Sequence, residues 1–269
     1  MLAAVDVCLY PKADCELPHP CGHLLHAVLL QLVHQSNPDM AEQLHRNAQV
    51  KPFAISTLWP RSKKTGDKLE IPKYTACRWR IGMVTKPVFE AVSGPLFQIL
   101  ASNGEINIQG KEFTILEANM EPPYGGVSNF KDLLGDDGSI IALKFVSPTM
   151  FRRKGLGVPL PEPHLVYGSL WQRWCAFSDV PVDASIYDEM LSVLALREAR
   201  IHTRVWKYPR FLMTGFVGLA VYELVKPVSK EARELFNALS QLSFYTGIGY
   251  RTTMGMGQCL PIDISSEVE

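Results

Sequence analysis

The sequence predicts an α+β fold built from two similar halves. Segments with the alternation of strands and segments with helical periodicity follow one another in the order β-α-β-β-α-β, and this order occurs twice along the 269 residues. A stretch rich in proline, glycine and aspartate, at about 122–138, separates the two halves. The repeated order is that of the ferredoxin-like motif. We therefore expect two tandem ferredoxin-like (RRM-like) domains over 1–125 and 135–269, each an antiparallel sheet with helices on one face.

The first half is expected to begin with a strand and a pair of helices. Leucine and valine recur at helical spacing after His23, and Asn37-Pro38 is typical of an N-cap followed by proline in the first turn. Gly94-Pro95 is expected to break the third helix. The predicted elements are a strand at 3–10, helices at 23–33 and 38–45, strands at 52–59 and 74–84, a helix at 86–101 and a strand at 106–117.

The second half repeats the order. Ser229 is a suitable N-cap for its last helix, in which Ala232, Leu235 and Leu239 share one face. The predicted elements are a strand at 139–146, a helix at 161–177, strands at 193–208 and 211–225, a helix at 229–242 and a strand at 258–264.

Composition excludes several classes of protein. Apolar residues make up 47% and charged residues 20%, which excludes a disordered chain. No apolar run approaches the ~20 residues of a membrane span, and Asp6 interrupts any signal peptide, so we expect a cytoplasmic protein. Lysine plus arginine and aspartate plus glutamate both number 27. This balance gives no bulk attraction to nucleic acid but permits a local basic face.

Cysteine and histidine spacing gives little support to a metal site. Cys15, Cys21 and His23 are close in sequence, but there is no Cys-x-x-Cys pair and no second ligand pair at zinc spacing. We expect reduced cysteines, no metal and no other cofactor.

The most specific local pattern is a glycine-rich segment near the C-terminus, which contains Gly247, Gly249, Gly255 and Gly257. Such a loop lets the backbone approach a phosphate closely. A P-loop would continue with Lys-Ser/Thr and a helix, whereas Gln258 leads into a strand. A dinucleotide fingerprint would follow a strand and open a helix, which is the reverse order.

This loop, placed after the last helix, resembles that of the CRISPR repeat-processing endoribonucleases, the Cas6 family of the RAMP superfamily. Three further segments resemble the same family in the same order: Ser36-Asn37-Pro38 with Leu44-His45, Ser147-Pro148-Thr149-Met150-Phe151-Arg152, and Gly215-Phe216-Val217-Gly218. The matches run from about residue 21 to 258. The family's fold is two ferredoxin-like domains in tandem, which agrees with the predicted strand order.

The resemblance implies metal-independent cleavage of precursor CRISPR RNA within its repeats. The ribose 2′-hydroxyl attacks the adjacent phosphate and leaves a 2′,3′-cyclic phosphate and a 5′-hydroxyl. His45 stands where family members carry a catalytic histidine, and Lys51 where some carry a catalytic lysine. Leu30 stands where those members have a tyrosine, so His23, His26 or His34 is a possible substitute. His45 also suits a plain role at a helix C-terminus, where it interacts with the helix dipole.

Several basic and aromatic residues are candidates for RNA binding. Residues of equal parity share a strand face, so Arg200, His202 and Arg204 form one stripe, which Trp206 extends as a candidate for base stacking. A solvated strand face is the alternative interpretation. The other candidates are Arg197, Lys207 and Arg210 on the same hairpin, Arg152 and Arg153 after the first strand of the second half, and Tyr250 and Arg251 in the glycine loop.

Two other functions stay open. The same fold can hold repeat RNA without cutting it, as a subunit of a CRISPR interference complex, and the leucine at position 30 favours this alternative. A nucleotide- or metal-dependent enzyme rests only on the glycines and the Cys15, Cys21, His23 cluster. The resemblance implies precursor CRISPR RNA as the partner, and it leaves further complex subunits and a homodimer open.

Overall fold

The computed structural model describes residues 1–46, 50–60, 64–208 and 211–262. In the first half the elements are β1 Leu2–Pro11, β2 Cys15–Pro18, α1 Gly22–Ser36, α2 Pro38–His45, β3 Phe53–Ile55, β4 Trp59–Pro60, β5 Lys64–Thr65, β6 Lys68–Ile71, β7 Cys77–Met83, α3 Lys86–Ala101, β8 Glu105–Ile108, β9 Lys111–Asn119 and β10 Gly126–Ser128. In the second half they are β11 Ile140–Thr149, β12 Phe151–Arg153, β13 Leu156–Val158, α4 Pro163–Phe177, α5 Ala184–Ser192, β14 Leu194–Tyr208, β15 Phe211–Leu224, α6 Lys230–Thr246 and β16 Cys259–Ile262.

The first half forms an antiparallel sheet in the order β3-β7-β1-β9-β8, with β4 pairing β7 and β10 pairing β1. Alternate residues of β1, among them Val5 and Val7, are buried in one core with Leu25 and Leu29 of α1 and Val92 of α3. The helices therefore cover one face of this sheet. A separate small sheet has the order β2-β6-β5.

The second half forms an antiparallel sheet in the order β14-β15-β11-β16. Leu143 of β11 and Ala220 of β15 are buried in a second core with residues of α4 and α6. The long hairpin of β14 and β15 pairs continuously from Leu194 with Leu224 to Tyr208 with Phe211, apart from one irregularity. Two antiparallel sheets, each with helices on one face, confirm the predicted α+β class of two tandem ferredoxin-like units.

Both predicted helix caps are present. Asn37 Oδ1 accepts from the backbone N–H of Met40 at 2.9 Å. Ser229 Oγ accepts from the backbone N–H of Ala232 at 3.2 Å. These caps depend on residues three positions apart, so local sequence is sufficient to predict them.

The predicted break at Gly94-Pro95 is wrong, because α3 runs through it. Proline removes the hydrogen bond to the carbonyl four residues earlier, which here belongs to Ala91. Ser36, at the end of α1, donates its hydroxyl to that carbonyl at 2.8 Å. A side chain from a neighbouring helix thus replaces the missing bond.

The observed elements differ from the predicted ones in three further places. The expected strand at 106–117 is the hairpin β8-β9, which turns at Gln109 and Gly110 with φ of 53° and 78°. The expected strand at 52–59 is only Phe53–Ile55 and part of the two-residue β4. Helix α5 was not predicted; its N-cap, Asp183, accepts from the N–H of Ser185 at 2.8 Å.

The two halves meet through α6. Leu2, Ala4 and Val84 of the first half are buried in the same core as Leu239 and Leu242 of α6. A Cβ at Gly82 would lie 2.0 Å from the carbonyl oxygen of Tyr245, so β7 contacts the end of α6 directly. Helix α6 therefore lies between its own sheet and the helix-free face of the first sheet. Part of the expected connection, β10, pairs with β1; the domain division at 122–138 stays a prediction.

Candidate active site

The glycine-rich segment forms a tight loop between α6 and β16. Gly247, Gly249, Gly255 and Gly257 have φ of 60°, 83°, 90° and 69°, in the region that side chains disfavour. A Cβ at Gly257 would also lie 2.0 Å from the carbonyl oxygen of Ile248. The positive φ and the lack of room for a Cβ atom both require glycine at position 257.

The four glycines differ in their surroundings. Gly247, Gly255 and Gly257 are buried, whereas Gly249 is half-buried. A Cβ at Gly255 would lie 3.0 Å from the backbone nitrogen of Thr57 in the first half. The close neighbour of Gly255 is therefore the protein's own backbone, and its lack of a side chain lets the two halves approach. Gly249 is the partly exposed member of the set, but its N–H donates to Ser169 Oγ of α4 at 2.9 Å, so it is not free to bind a phosphate.

Three of the four segments that carry the family resemblance contact one another. The N–H of Gly257 donates to the carbonyl of Pro148 at 3.1 Å, and that of Tyr250 donates to Met150 at 2.9 Å. A Cβ at Gly215 would lie 2.7 Å from the backbone nitrogen of Thr149. The segment at 147–152 thus joins the glycine loop to β15.

A buried cation supports the glycine loop from α4. Arg173 donates to the carbonyl of Gly249 at 3.1 Å and to Thr252 Oγ1 at 3.4 Å. Ser169 of the same helix accepts from the N–H of Gly249 at 2.9 Å. Burial lowers the pKa of Arg173 to about 10, so the guanidinium stays charged at neutral pH. The loop is therefore held by α4 rather than free in solvent.

On its other side the glycine loop lies against α1 of the first half. A Cβ at Gly22 would lie 1.9 Å from the carbonyl oxygen of Met254. His26 Nδ1 lies 3.0 Å from the carbonyl oxygen of Thr253. A carbonyl only accepts, so Nδ1 carries the proton and Nε2 of the neutral ring is left as an acceptor. The ring stacks on Phe53 with centroids 5.7 Å apart.

His45 and Lys51 lie at the end of α2. His45 is the last residue of the helix and is exposed. Lys51 Nζ donates to the carbonyl of Leu44 at 2.6 Å and also to that of Arg46. The ammonium therefore binds carbonyls that the helix leaves unpaired. Burial lowers the pKa of Lys51.

His26 lies within electrostatic range of both residues. Burial is the main cause that lowers its pKa; electrostatic interactions with Lys51 and His45 lower it further, whereas the bond to Thr253 raises it. Three basic side chains and one edge of the glycine loop therefore meet in one region, although they come from α1, α2, the segment after α2 and the second half.

Among the possible substitutes for the tyrosine, the structure brings His26 to this region. Leu30 is half-buried and packs against the first core. His34 is exposed, and His23 packs edge-on against Tyr208 with centroids 6.1 Å apart. His26 precedes Leu30 by four residues, which places both on one helix face. His34 follows Leu30 at the same spacing, so the sequence alone does not favour His26; its hydrogen bond to Thr253 of the second half does.

The stripe on β14 is present. Arg200, His202 and Arg204 are exposed and pair with Leu219, Val217 and Gly215 of β15. Lys144 of β11 also pairs with Leu219, so it shares this face, and the sequence analysis missed it. A cavity of about 430 Å³ lies over the face and is lined by Lys144, Arg200 and Arg204. His202 Nε2 accepts from Arg204 Nε at 3.1 Å.

Other members of the predicted RNA surface lie elsewhere. Trp206 is buried in a small core with Met213 and Met256, so its ring cannot stack on a base. Lys207 pairs with Asp67 at 2.9 Å, and Arg197 pairs with Glu223 at 3.4 Å. Arg210 lies outside the described residues.

Aromatic and basic side chains meet at the glycine loop. The guanidinium carbon of Arg152 lies 4.9 Å from the ring centre of Tyr250, and that of Arg251 lies 5.2 Å from it. Arg251 also lies 4.2 Å from the ring of Phe211. Arg153 follows Arg152 on β12, so its side chain points to the opposite face. The structure groups Arg152, Tyr250 and Arg251 but not Arg153.

Across residues 1–46, 50–60, 64–208 and 211–262, no group of three or more His, Cys, Asp or Glu side chains is placed to hold a metal. Within the same ranges, no helix is long and apolar enough to cross a membrane.

Family models match both halves of the chain. A model of the CRISPR Cas6 N-terminal domain matches residues 2–108, and a model of the CRISPR-associated endoribonuclease Cas6 matches residues 143–259. A CRISPR-associated endoribonuclease Cas6 of Mycobacterium tuberculosis (strain CDC 1551 / Oshkosh) is 23% identical over 239 residues, which are 88% of this chain and 70% of that protein.

Solved structures of Cas6 proteins are also similar to this chain. A Cas6 product complex has a TM-score of 0.79 at 25% identity and covers 98% of this chain and 100% of its own. A Cas6 substrate mimic complex has a TM-score of 0.74 at 26% identity, with coverage of 97% and 99%. Thermus thermophilus Cas6 is similar in fold, with a TM-score of 0.72 at 22% identity and coverage of 97% and 98%.

Proposed function

Since the chain belongs to the Cas6 family of CRISPR-associated endoribonucleases, we propose that it cuts precursor CRISPR RNA within each repeat to release mature guide RNAs. The similar structures include a product complex and a substrate mimic complex, which supports a substrate-binding role for this fold.

One observation carries the proposal. The glycine loop of the second half is hydrogen-bonded to His26 of the first half, and Lys51 and His45 act electrostatically on the same imidazole. Groups that can move protons and stabilise negative charge therefore lie together at the junction of the two halves. Two proton-transfer groups and a cation are what internal RNA cleavage needs.

The proposed reaction uses no metal. His45 removes the proton of the ribose 2′-hydroxyl, whose oxygen attacks the adjacent phosphorus. The 5′-oxygen takes up a proton from water as it leaves, and the imidazolium of His45 returns its proton to water, so that the products are a 2′,3′-cyclic phosphate and a 5′-hydroxyl. Lys51 stabilises the charge that develops on the phosphorane oxygens. A positioned base contributes ~10²–10⁴-fold in rate.

His26 is the second candidate for the base. Its lowered pKa keeps the ring neutral, and the bond from Nδ1 to Thr253 leaves Nε2 as the acceptor. Its position one turn before Leu30 places it on the helix face where some family members carry a tyrosine. His45 is preferred because of its place in the family motif.

The alternative is a subunit that binds repeat RNA without cutting it. Leu30 favours this alternative, because an apolar side chain packed against the core supplies no proton-transfer group. Binding and cleavage must therefore be measured separately.

The test is cleavage of a labelled CRISPR repeat RNA from the same organism in EDTA. We expect the wild type to cut, and His45→Ala to bind normally but to cut at least ~10²-fold more slowly. A 2′-deoxy substitution at the cut site should block cleavage, because it removes the nucleophile. His34→Ala, on an exposed position of α1, is the matched histidine control.

Each contrary result has a distinct meaning. Full activity in His45→Ala together with loss in His26→Ala would assign the base to His26. A wild type that binds its cognate repeat and never cuts it would establish the binding subunit instead. Loss of activity in EDTA would overturn the metal-independent mechanism.

A further inference from the structure

A second cavity lies between α4 and the glycine loop. Its volume is about 250 Å³, and its walls include Arg152, Gln172, Arg173, Gly249 and Tyr250. Val50 is its lining residue from the first half. We propose that this cavity binds the RNA nucleotide that flanks the scissile phosphate and holds its backbone phosphate through Arg152. The inference rests on the proposed RNA cleavage and adds a subsite to it.

One stripe of α4 forms a wall of the cavity. His164, Gly168 and Gln172 line it at intervals of four residues, so they lie above one another on the helix surface. Gly168 has no side chain, which leaves space between the histidine and the glutamine. The amide of Gln172 and the imidazole of His164 are thus two side chains of this stripe able to hydrogen-bond a ribose or a base edge.

The charge in the cavity suits an anion. Arg152 and Arg173 have no carboxylate within 4.0 Å among the residues that the structure describes. The acid beside the cavity is Glu162, which pairs with His164 at 3.3 Å. The two guanidiniums therefore leave positive charge that a phosphate can neutralise.

The two arginines have different tasks. Arg173 is buried and donates to Ser169, Gly249 and Thr252, so it shapes the wall. Arg152 is exposed, and its one hydrogen bond among the described residues joins Nη1 to the carbonyl of Gly155 at 3.1 Å. Its other N–H groups are available to an incoming phosphate. The half-buried ring of Tyr250 supports the guanidinium.

The position of Val50 connects this cavity to the reaction. Val50 precedes Lys51, and consecutive Cα atoms are 3.8 Å apart. The glycine loop contacts His26 through Thr253 and lines the cavity through Gly249 and Tyr250. A strand of RNA with its scissile phosphate at Lys51 therefore has the cavity beside it for the adjoining nucleotide.

The test measures binding of a cognate repeat RNA that carries the 2′-deoxy substitution and cannot be cut. Affinity is measured against salt concentration for wild type, Arg152→Ala and Gln172→Ala. The matched control is Lys131→Ala, which removes one exposed positive charge outside the cavity. A second RNA series replaces single phosphates near the cut site by uncharged methylphosphonates.

We expect Arg152→Ala to weaken binding roughly tenfold and to make the slope of log K against log salt shallower by about 1. Gln172→Ala should weaken binding without changing the slope, because no charge is lost. One methylphosphonate next to the cut site should weaken wild-type binding, and Arg152→Ala should add no further loss with that RNA. This non-additivity is the signature of a direct contact.

Additive losses at every linkage, or losses no larger than that of Lys131→Ala, would overturn the subsite. The outcome is independent of catalysis, because the RNA is not cut. If the wild type cuts its repeat but shows no coupling, the subsite is wrong and the proposed reaction stands. If coupling is present but the wild type never cuts the ordinary repeat, the subsite stands and the enzymatic function is wrong.

Discussion

The imidazole of His26 lies where three parts of the chain meet. It donates to the carbonyl of Thr253, stacks on Phe53 and interacts electrostatically with Lys51 and His45. Burial and these electrostatic interactions both disfavour the imidazolium. A neutral ring is therefore built into the junction of the two halves, whether or not it takes part in catalysis.

This environment makes stability depend on pH. The pKa of His26 in the folded protein lies below its ordinary value of 6.5, so the unfolded chain binds the proton more tightly. The stabilising contribution is complete above pH 6.5 and is lost as the pH falls through the folded pKa.

The measurement is urea unfolding of wild type and His26→Gln between pH 5 and 8. Glutamine can still donate to Thr253 but does not titrate. We expect the wild type's stability relative to the variant to decrease as the pH falls below 6.5. His34→Gln on the same helix is the control, and an identical pH dependence in wild type and His26→Gln would contradict the prediction.

Among the elements, the glycine loop tolerates side chains poorly. Gly257 combines a φ of 69° with a Cβ position only 2.0 Å from the carbonyl oxygen of Ile248. Gly155, in the turn between β12 and β13, has a similar φ of 81° but nothing within 4 Å of its Cβ position. Alanine substitutions at these two glycines therefore separate the destabilisation caused by a left-handed backbone from that caused by a steric clash.

We expect Gly155→Ala to cost about 1 kcal/mol of stability, from the left-handed backbone alone. Gly257→Ala should cost more and should also abolish repeat cleavage, because the loop must move away from His26 and the α4 wall. Thermal unfolding and cleavage of both variants provide the measurement. Equal effects of the two substitutions would mean that the packing around Gly257 yields easily.

At the scale of the whole molecule, α6 and Arg80 hold the halves together. Arg80 of β7 is buried and donates to the carbonyls of Tyr124 (2.8 Å) and Phe244, and to Gln258 Oε1 at 3.3 Å. Its guanidinium carbon lies 4.0 Å from the ring centre of Phe244. Burial lowers its pKa to about 10, so it remains charged at neutral pH. A cation of the first half thus donates to two acceptors of the second half, Phe244 and Gln258.

This shared core predicts one cooperative unfolding transition rather than two. Arg80→Met should lower the temperature of that single transition, with a cost of about 3 kcal/mol, because several buried acceptors lose their donor. Arg153→Met makes the same chemical change at an exposed position and should have little effect. Calorimetry is the measurement; two separate transitions in the wild type, or one half unfolding alone in Arg80→Met, would contradict a common core.

Local sequence patterns predicted the main strands and helices of both halves, the caps at Asn37 and Ser229, and the common face of Arg200 and Arg204. Each follows from residues a few positions apart, through the periods of strands and helices and through local hydrogen bonds. The family motifs likewise singled out His45 and Lys51, whose catalytic roles stay predictions.

Other features depend on contacts between residues far apart in the chain, which no local pattern predicts. Ser36 bonds to Ala91 and keeps α3 continuous through Pro95; the methionine cluster buries Trp206; Thr253 anchors His26. In each case the neighbour is brought close by sheet pairing and helix packing, so no local pattern contains it. The same reason explains why the site at the junction of the halves could be assembled only in three dimensions.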